Sequence, residues 1–357
     1  MKKKIKVAIE LTLNKMPEPM LRFMSHLFSF LKRILSLIYK KSGTGVLGIK
    51  LCDFIITRCN GNRFIEFELS NICNAQCVFC PYPDMLRTDK KFMNMSSEVL
   101  DNVLSKIKYF NSTLVSFTPT TGDTLLHPEW NLYILKVLQE KQVAGGTMFT
   151  NAIKLDEENR TKFMEIINSK NGHKLSELYF SVGGLDKTTY QSLYKVDRFD
   201  LVVNNIQELL KLLKQNNQTT GVHIHVKLLK DSKFNLQEAL KIFNPFSYPF
   251  VYFSHSNLYY SNDQYTRNAL IEYLDEPFNQ KHKACAYLQK TRFAADGSVW
   301  ADGCVISEMP NDTSLKLGEI DEEWSKIEDE RNRIIGSWEQ NQEIPLPCQG
   351  CTVYRPR

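Results

Sequence analysis

The sequence predicts an α/β fold in which a mostly parallel sheet curves into a barrel that carries helices on its outer side. Two observations support this prediction: six strand-like runs alternate with amphipathic helical patterns, and helix-starting residues precede several of those patterns. Strands that alternate with helices favour parallel pairing through right-handed crossovers. The pattern alone leaves open whether the sheet closes.

The elements follow one another in a regular order. In chain order, the strand-like runs lie near 63–69, 113–118, 144–150, 177–183, 221–229 and 249–254. The helical patterns lie near 96–109, 130–141, 157–168, 200–216 and 235–243. Plausible helix starts are Ser96 with Glu98, Pro128 with Glu129, and Asp156 with Glu157.

Length and composition are those of an ordinary globular protein. The 357 residues are enough for one large domain and a smaller one, and 24% of them are charged. Nine cysteines without a signal peptide argue against a secreted disulfide scaffold. We therefore expect a cytoplasmic protein.

Residues 1–60 form a basic leader with an amphipathic helix. Ten basic and two acidic residues give residues 1–41 a net charge of +8, which leaves −3 for the rest and no sign of a nucleic-acid groove. Polar residues recur every three to four positions over 21–41, and Lys32 and Arg33 interrupt any run that could span a bilayer. Peripheral contact with the inner membrane surface and packing on the protein itself or at a dimer contact both remain open.

Three closely spaced cysteines follow the first strand-like run. Cys73, Cys77 and Cys80 lie within eight residues. A cubane iron–sulfur cluster normally takes four thiolates, so a loop with three leaves one iron open for chemistry. The alternatives are structural thiols, which rarely cluster so closely, and a zinc site, for which a nearby fourth ligand is missing.

The Cys-x3-Cys-x2-Cys spacing resembles the signature of the radical S-adenosylmethionine (SAM) enzymes. The resemblance implies a partial (β/α)6 TIM-like barrel over residues 61–275, whose first strand delivers the cysteine loop. It also implies a [4Fe–4S] cluster whose open iron is chelated by SAM. Phe79 matches the aromatic position that packs on the adenine of SAM.

Further segments resemble the SAM-binding motifs of this family. Gly122 and Asp123 lie in a segment similar to its Gly-Gly-Glu-Pro motif, although Thr121, Asp123 and Thr124 depart from that pattern. Asn151 and Ser181 follow at the ends of the third and fourth strands, where the family places SAM contacts.

Charged residues near these segments are open to two interpretations each. Lys195 or Arg198 could neutralise the SAM carboxylate, and an exposed surface position is the alternative for each. His223, His225 and Lys227 alternate along the fifth strand and contact substrate if their face points into the barrel.

A second cysteine group lies near the end of the chain. Its members are Cys285, Cys304, Cys348 and Cys351, and a hairpin at Asp296-Gly297 lies between the first two. Residues 276–357 resemble a small α+β cluster-binding domain of the SPASM/twitch type, with one fully ligated auxiliary [4Fe–4S] cluster. The order and approximate spacing of these four cysteines are similar to those in a cyclitol-oxidising radical SAM enzyme, 2-deoxy-scyllo-inosamine dehydrogenase. A four-thiolate zinc site is the competing interpretation. Cys52 and Cys59 receive no role.

By resemblance, the protein cleaves SAM reductively to a 5′-deoxyadenosyl radical and oxidises or otherwise modifies a carbon–hydrogen position. The auxiliary cluster would accept an electron, and a flavodoxin or ferredoxin would donate one to the first cluster. The substrate is expected to be a sugar, cyclitol or lipid-linked saccharide, with a peptide or protein as the alternative. A non-catalytic iron–sulfur electron carrier is the alternative of another class, and no catalytic residue is assigned.

Overall fold

The computed structural model describes residues 64–110, 113–256, 258–259, 268–273, 281–301 and 312–349, together with residues 27, 31, 351 and 354. The chain divides into two compact units, Met1–Phe64 and Ile65–Arg357, and the description concerns the second unit. Apart from residues 27 and 31, the predicted leader over residues 1–60 lies outside the described residues, as do Cys52, Cys59 and Cys304, so these predictions stay predictions.

Eleven strands are present in the described residues. In chain order they are β1 Phe64–Phe67, β2 Thr113–Phe117, β3 Val143–Thr150, β4 Leu175–Gly183, β5 Gly221–Lys227, β6 Val251–Ser256, β7 Leu258–Tyr259, β8 Glu272–Tyr273, β9 Thr291–Phe293, β10 Ser298–Trp300 and β11 Lys316–Glu319. Nine of them form one sheet in the order β11-β10-β9-β1-β2-β3-β4-β5-β6. Strands β2 to β6 pair in parallel with their neighbours, as predicted. In the described part of the chain the sheet is open, with β6 and β11 at its edges, which answers the question of closure.

Nine α-helices accompany these strands in the described residues. They are α1 Tyr82–Met85, α2 Ser97–Ile107, α3 Trp130–Gln139, α4 Glu157–Asn168, α5 Lys187–Tyr194, α6 Phe199–Gln215, α7 Leu236–Phe243, α8 Trp324–Asn341 and α9 Leu346–Gln349. The predicted starts of α2 and α4 are confirmed, because Ser96 and Asp156 accept hydrogen bonds from the backbone N–H groups of Val99 and Asn159.

The sheet has one apolar and one polar face. Leu178, Phe180 and Val182 of β4 are buried, as are the alternate residues of β5, and they form one core with the apolar face of α6. Burial of each such side chain contributes roughly 1.5–3 kcal/mol. Because side chains alternate along a strand, the polar and aromatic residues of β4 and β5 lie on the opposite, inner face.

The region after residue 280 extends this same sheet. Strand β9 pairs in parallel with β1, with Ile65 opposite Thr291 and Phe67 opposite Phe293. Gly297, with φ of +89°, forms the predicted hairpin between β9 and β10. The C-terminal strands therefore complete the edge of the barrel sheet. No helix among the described residues is long and apolar enough to cross a membrane.

Candidate radical SAM site

The three cysteines of the N-terminal motif lie on one loop after β1, and all three residues are partly buried. Burial raises the pKa of Cys77 well above its ordinary value, and the neighbouring Cys80 and Cys73 raise it further. Burial and the charge of Asp123 raise the pKa of Cys73 to about 11. The structure thus brings the three thiols together, and metal binding at this loop must release their protons.

The backbone of the cysteine loop is held by hydrogen bonds to the Tyr82 hydroxyl and to the end of α5. The Tyr82 hydroxyl accepts from the Cys73 N–H at 3.0 Å and donates to the Cys73 carbonyl at 3.2 Å. Farther along, the N–H groups of Gln76 and Val78 donate to the carbonyls of Tyr194 and Leu193. The loop therefore has a defined backbone, as a site that must position ligands requires.

Gly122 lies where the turn after β2 approaches the cysteine loop. Its φ is +126°, and a Cβ atom at this position would lie 2.5 Å from the Ser70 carbonyl oxygen. The next residue, Asp123, donates its backbone N–H to the Ile72 carbonyl at 2.8 Å. Only glycine fits this close approach without a shift of the backbone.

The Asp123 carboxylate joins the ends of β2 and β3. It accepts hydrogen bonds from the Leu125 N–H at 3.0 Å, the Thr150 hydroxyl at 2.9 Å and the Asn151 N–H at 2.7 Å. Burial raises the pKa of Asp123 to about 6, while these hydrogen bonds oppose the shift. Its predicted role in binding SAM stays a prediction.

Asn151 connects the end of β3 to the cysteine loop. Its side-chain amide donates to the Asn74 side-chain oxygen at 2.8 Å, directly beside Cys73, and its own oxygen accepts from the Ile153 N–H at 2.9 Å. The third strand end is thereby fixed to the loop that carries the thiols.

Ser181, Phe79 and Tyr194 form a neighbouring group. The Ser181 and Tyr194 hydroxyl oxygens lie 2.8 Å apart, and the Phe79 ring meets the Tyr194 ring edge-on at 5.7 Å. The Lys227 ammonium lies 5.3 Å from the centroid of the Phe79 ring. The ends of β2, β3, β4 and β5 thus bring residues next to the cysteine loop.

Lys227 places a buried ammonium group beside the cysteines, whereas the sequence suggested Lys195 or Arg198 for the SAM carboxylate. Burial lowers the pKa of Lys227 to about 8, and the charges of Cys77 and Cys80 oppose that shift. Lys195 and Arg198 are exposed at the ends of α5 and α6.

A row of four rings crosses the inner face of the sheet. Phe149 of β3, Tyr179 of β4, His223 of β5 and Tyr252 of β6 are register partners, and their ring centroids lie 4.3, 4.3 and 4.8 Å apart in turn. Near this row, the Tyr179 hydroxyl donates to Glu177 at 2.7 Å. His223, His225 and Lys227 therefore lie on the inner face, which was the condition for substrate contact.

A polar row lies one step closer to the cysteines. Ser181, His225 and Ser254 are register partners there. The two ring nitrogens of His225 lie 2.7 Å from the Ser254 oxygen and 3.2 Å from the Ser256 oxygen. Burial, followed by the charges of Lys227 and His255, lowers the pKa of His225 to about 3, so its imidazole is neutral near pH 7.

Comparison with known proteins identifies the family. Residues 67–240, which hold the three cysteines and their supporting strand ends, match the model described as "Radical SAM superfamily". These residues form a radical SAM domain. No curated protein matches the chain.

Two solved structures share the fold at low identity, and a third is included for its similarity alone. Two structures of anSMEcpe with bound AdoMet have a TM-score of 0.52 and are 16% and 15% identical. The first alignment covers 78% of this chain and 80% of that chain, and the second covers 81% and 88%. BtrN in complex with AdoMet and 2-DOIA has a TM-score of 0.48 and 14% identity, with 81% and 92% coverage.

A radical SAM domain implies a [4Fe–4S] cluster and SAM, and the type and number of the donors on the cysteine loop fit the cluster. Three thiols on a fixed loop are the donors that such a cluster takes. Tyr82 and Tyr194, which support this loop, were not identified from the sequence, because their roles depend on contacts between distant elements.

Three of the four late cysteines belong to the described residues, and they lie near one another. Cys285 and Cys351 are buried, Cys348 is half-buried, and the charges of all three act on Lys281. The fourth predicted ligand, Cys304, is outside the described residues. In the described part of the chain, no three or more His, Cys, Asp or Glu side chains are arranged to hold a single metal ion.

Proposed function

We propose that this radical SAM enzyme oxidises a carbon–hydrogen position of a hydroxylated small molecule, namely a sugar, a cyclitol or a lipid-linked saccharide. When bound, the cluster of Cys73, Cys77 and Cys80 and its SAM supply a 5′-deoxyadenosyl radical that removes a hydrogen atom from the substrate. The observation that carries the proposal is the convergence of the three thiols with the ends of β2, β3, β4 and β5.

The residues around the loop have distinct roles in holding SAM. Phe79 offers an aromatic surface to the adenine, and Asn151 and Ser181 offer amide and hydroxyl groups beside the loop. Lys227 would supply a cation for the SAM carboxylate, because it is buried beside Cys77 and Cys80.

The inner face of the sheet supports a hydroxylated substrate. Ser254, Ser256 and the neutral His225 can each donate or accept a hydrogen bond, as hydroxyl groups require. Beyond them, Tyr179 and Tyr252 add apolar ring surface with polar tips, which suits the mixed surface of a polyol.

The net reaction converts a secondary alcohol carbon to a carbonyl. The substrate loses one hydrogen atom to the radical, one proton to solvent and one further electron. Cys285, Cys348, Cys351 and the predicted Cys304 would hold an auxiliary [4Fe–4S] cluster, which would supply the acceptor for that electron. A fully ligated cluster suits this role, because it has no open iron that could bind the substrate.

Anoxic incubation of reconstituted protein with dithionite and SAM tests the first half of the proposal. We expect 5′-deoxyadenosine from the wild type and from Cys59→Ala, and none from Cys77→Ala. A fully loaded wild-type protein that forms no 5′-deoxyadenosine would instead support an electron carrier.

Isotope transfer tests the substrate class. Polyols and saccharides deuterated at carbon should transfer deuterium to 5′-deoxyadenosine, whereas transfer from peptides alone would favour the peptide alternative. Replacement of Cys348 and Cys351 by alanine should stop product formation and leave part of the SAM cleavage. Normal turnover in that variant would exclude the electron-accepting role.

A further inference from the structure

Arg292 is a buried arginine of β9 that lies on the inner face of the sheet, opposite to its neighbour Phe293, which packs in the core. The residue is 3% exposed. Its Nη1 atom donates to the Thr120 hydroxyl at 2.8 Å and to the Glu68 carboxylate at 3.4 Å. Nη1 carries two N–H groups, one for each acceptor. A single amino group therefore connects the end of β1 to the turn after β2.

The Arg292 guanidinium is fixed from several sides. Its central carbon lies 5.2 Å from the centroid of the Trp300 ring, and Trp300 is its register partner in β10. Glu68 is 2% exposed, and its second carboxylate oxygen accepts from the Ala295 N–H at 3.3 Å. A buried ion pair of this kind keeps its geometry, because movement of either charge would leave the other uncompensated. The guanidinium therefore presents Nη1 at a defined position.

The turn after β2, residues 120–123, is held at both of its ends. At the far end, the Asp123 N–H donates to the Ile72 carbonyl at 2.8 Å, directly before the first cysteine of the loop. At the near end, the Thr120 hydroxyl accepts from Arg292. The position of the turn relative to the cysteine loop therefore depends on a residue of β9, which follows it by more than 160 positions in the chain.

A second ion pair lies beside the first and offers a comparison. The Lys290 ammonium lies 3.0 Å from a Glu66 carboxylate oxygen. Lys290 and Glu66 each precede a member of the first pair by two residues, so the second pair lies on the same face and farther from the turn. The hydrogen bond to Thr120 comes from Arg292. The first pair is thus the one that continues into the turn.

We propose that Arg292 is a positioning residue for SAM binding, which holds residues 120–123 against the cysteine loop through the Thr120 hydroxyl. This inference rests on the proposed function, in which SAM binds beside the cysteine loop and the strand ends. It gives β9 a part in the SAM site and requires no metal at the late cysteines. A hydrogen bond from a charged donor is stronger than one between neutral groups, so its loss should be measurable.

The test uses the full-length protein, loaded anoxically with iron and sulfide and kept without reductant so that SAM is not cleaved. Equilibrium dialysis with labelled SAM measures the Kd, and iron per chain is determined in parallel. Thr120→Val removes the acceptor hydroxyl and leaves the ion pair, whereas Thr120→Ser keeps the hydroxyl. Glu68→Gln combined with Arg292→Met removes the guanidinium without leaving a buried carboxylate. Glu66→Gln combined with Lys290→Met is the matched control for the loss of an ion pair.

We expect Thr120→Val, and separately the Glu68→Gln and Arg292→Met combination, to raise the Kd of SAM about 10-fold at unchanged iron content. Thr120→Ser and the control combination should stay near the wild type. All three substitutions together should raise the Kd no further, because both changes remove the same contact. With dithionite present, the KM for SAM in 5′-deoxyadenosine formation should rise by a similar factor, while kcat changes little.

A wild-type Kd in both Thr120→Val and the Arg292→Met combination would overturn the inference. Equal weakening in the control combination, or loss of iron together with SAM affinity, would also overturn it, because the contact would then be structural only. If the Arg292→Met combination fails to fold, the comparison of Thr120→Val with Thr120→Ser still gives the answer. A loaded wild type that binds no SAM contradicts the proposed function itself and this inference with it.

Discussion

Gly122 joins the turn after β2 to the backbone that leads into the cysteine loop. A Cβ atom there would lie 2.5 Å from the Ser70 carbonyl oxygen and 2.8 Å from the Asn71 backbone, and the φ of +126° disfavours other residues. We expect Gly122→Ala to lower the free energy of unfolding by at least about 2 kcal/mol and to reduce bound iron.

Gly336 offers a matched control for this glycine substitution. It lies inside α8, and an added Cβ atom meets nothing within 4 Å. Gly336→Ala should raise stability by about 0.5–1 kcal/mol, because alanine favours the helix. Denaturant unfolding and iron analysis of both variants check the prediction. A Gly122→Ala protein as stable and iron-rich as the wild type would show that the close approach is not needed.

Asp123 makes a pH-dependent contribution to stability. Its pKa rises from 3.8 to about 6 on folding, so the folded state binds an extra proton between these values. The stability contributed by this group therefore falls as pH rises through that interval. From pH 7.5 to 5, the wild type should gain about 1 kcal/mol relative to Asp123→Asn.

Unfolding of both proteins by denaturant at several pH values measures this gain. Asparagine cannot ionise, so the difference between the two proteins isolates residue 123 from other titrating groups. A difference that stays constant between pH 5 and 7.5 would contradict the raised pKa.

The backbone conformation of the cysteine loop depends on Tyr82 of α1. The Tyr82 hydroxyl is bonded to both the N–H and the carbonyl of Cys73, and its ring meets Phe92 at 5.1 Å. Tyr82→Phe keeps the ring contact but leaves two partly buried backbone groups without this partner, at a cost of about 1–3 kcal/mol.

We expect Tyr82→Phe to retain less iron per chain after anoxic exposure to a chelator than the wild type does. Tyr109→Phe is the control, because Tyr109 is 49% exposed and stacks on Trp324 far along the chain. Equal iron retention in the two variants would mean that Tyr82 does not support the loop.

Most elements could be predicted from the sequence, because local patterns determine them. Hydrophobic alternation identified all six barrel strands, and Ser96 and Asp156 marked true helix starts. Helix α5 was missed, although Asp186 accepts from the Thr189 N–H and begins it. The signal was present, but the helix is short and directly precedes α6.

The candidate site was predicted where a motif lies in one segment. Cys73, Cys77 and Cys80 are such a case, and so is the turn at Gly122. The location of Lys227 beside the thiols, and that of Lys281 at the late cysteines, depends on strands and turns that are distant in sequence. Spacing along the chain carries no information on such contacts.

The whole molecule shares one sheet between the barrel and the C-terminal region. The ring centroids of Phe293 in β9 and Phe67 in β1 lie 5.9 Å apart. The Arg292 guanidinium nitrogen lies 3.4 Å from a Glu68 carboxylate oxygen in a buried ion pair. Strands on both sides of the predicted boundary at residues 275 and 276 therefore belong to one hydrogen-bonded sheet, and the boundary itself lies outside the described residues and stays a prediction.

We expect removal of residues 276–357 to prevent cooperative folding and iron binding at the first cysteine loop. The truncation would leave β1 without its parallel partner and would expose Phe67 to water. Thermal unfolding and iron analysis check this expectation. A fragment over residues 61–275 that unfolds cooperatively and binds one cluster would show that the barrel is independent.

The central claim is that three cysteines hold a cluster with one iron open to SAM. Electron paramagnetic resonance of the reduced full-length protein with Cys348 and Cys351 replaced by alanine tests it most directly. In this variant only the N-terminal cysteine loop keeps all its predicted ligands. We predict a [4Fe–4S] signal whose g-values change when SAM is added. A protein that binds only zinc, or a cluster signal that SAM leaves unchanged, would contradict the claim.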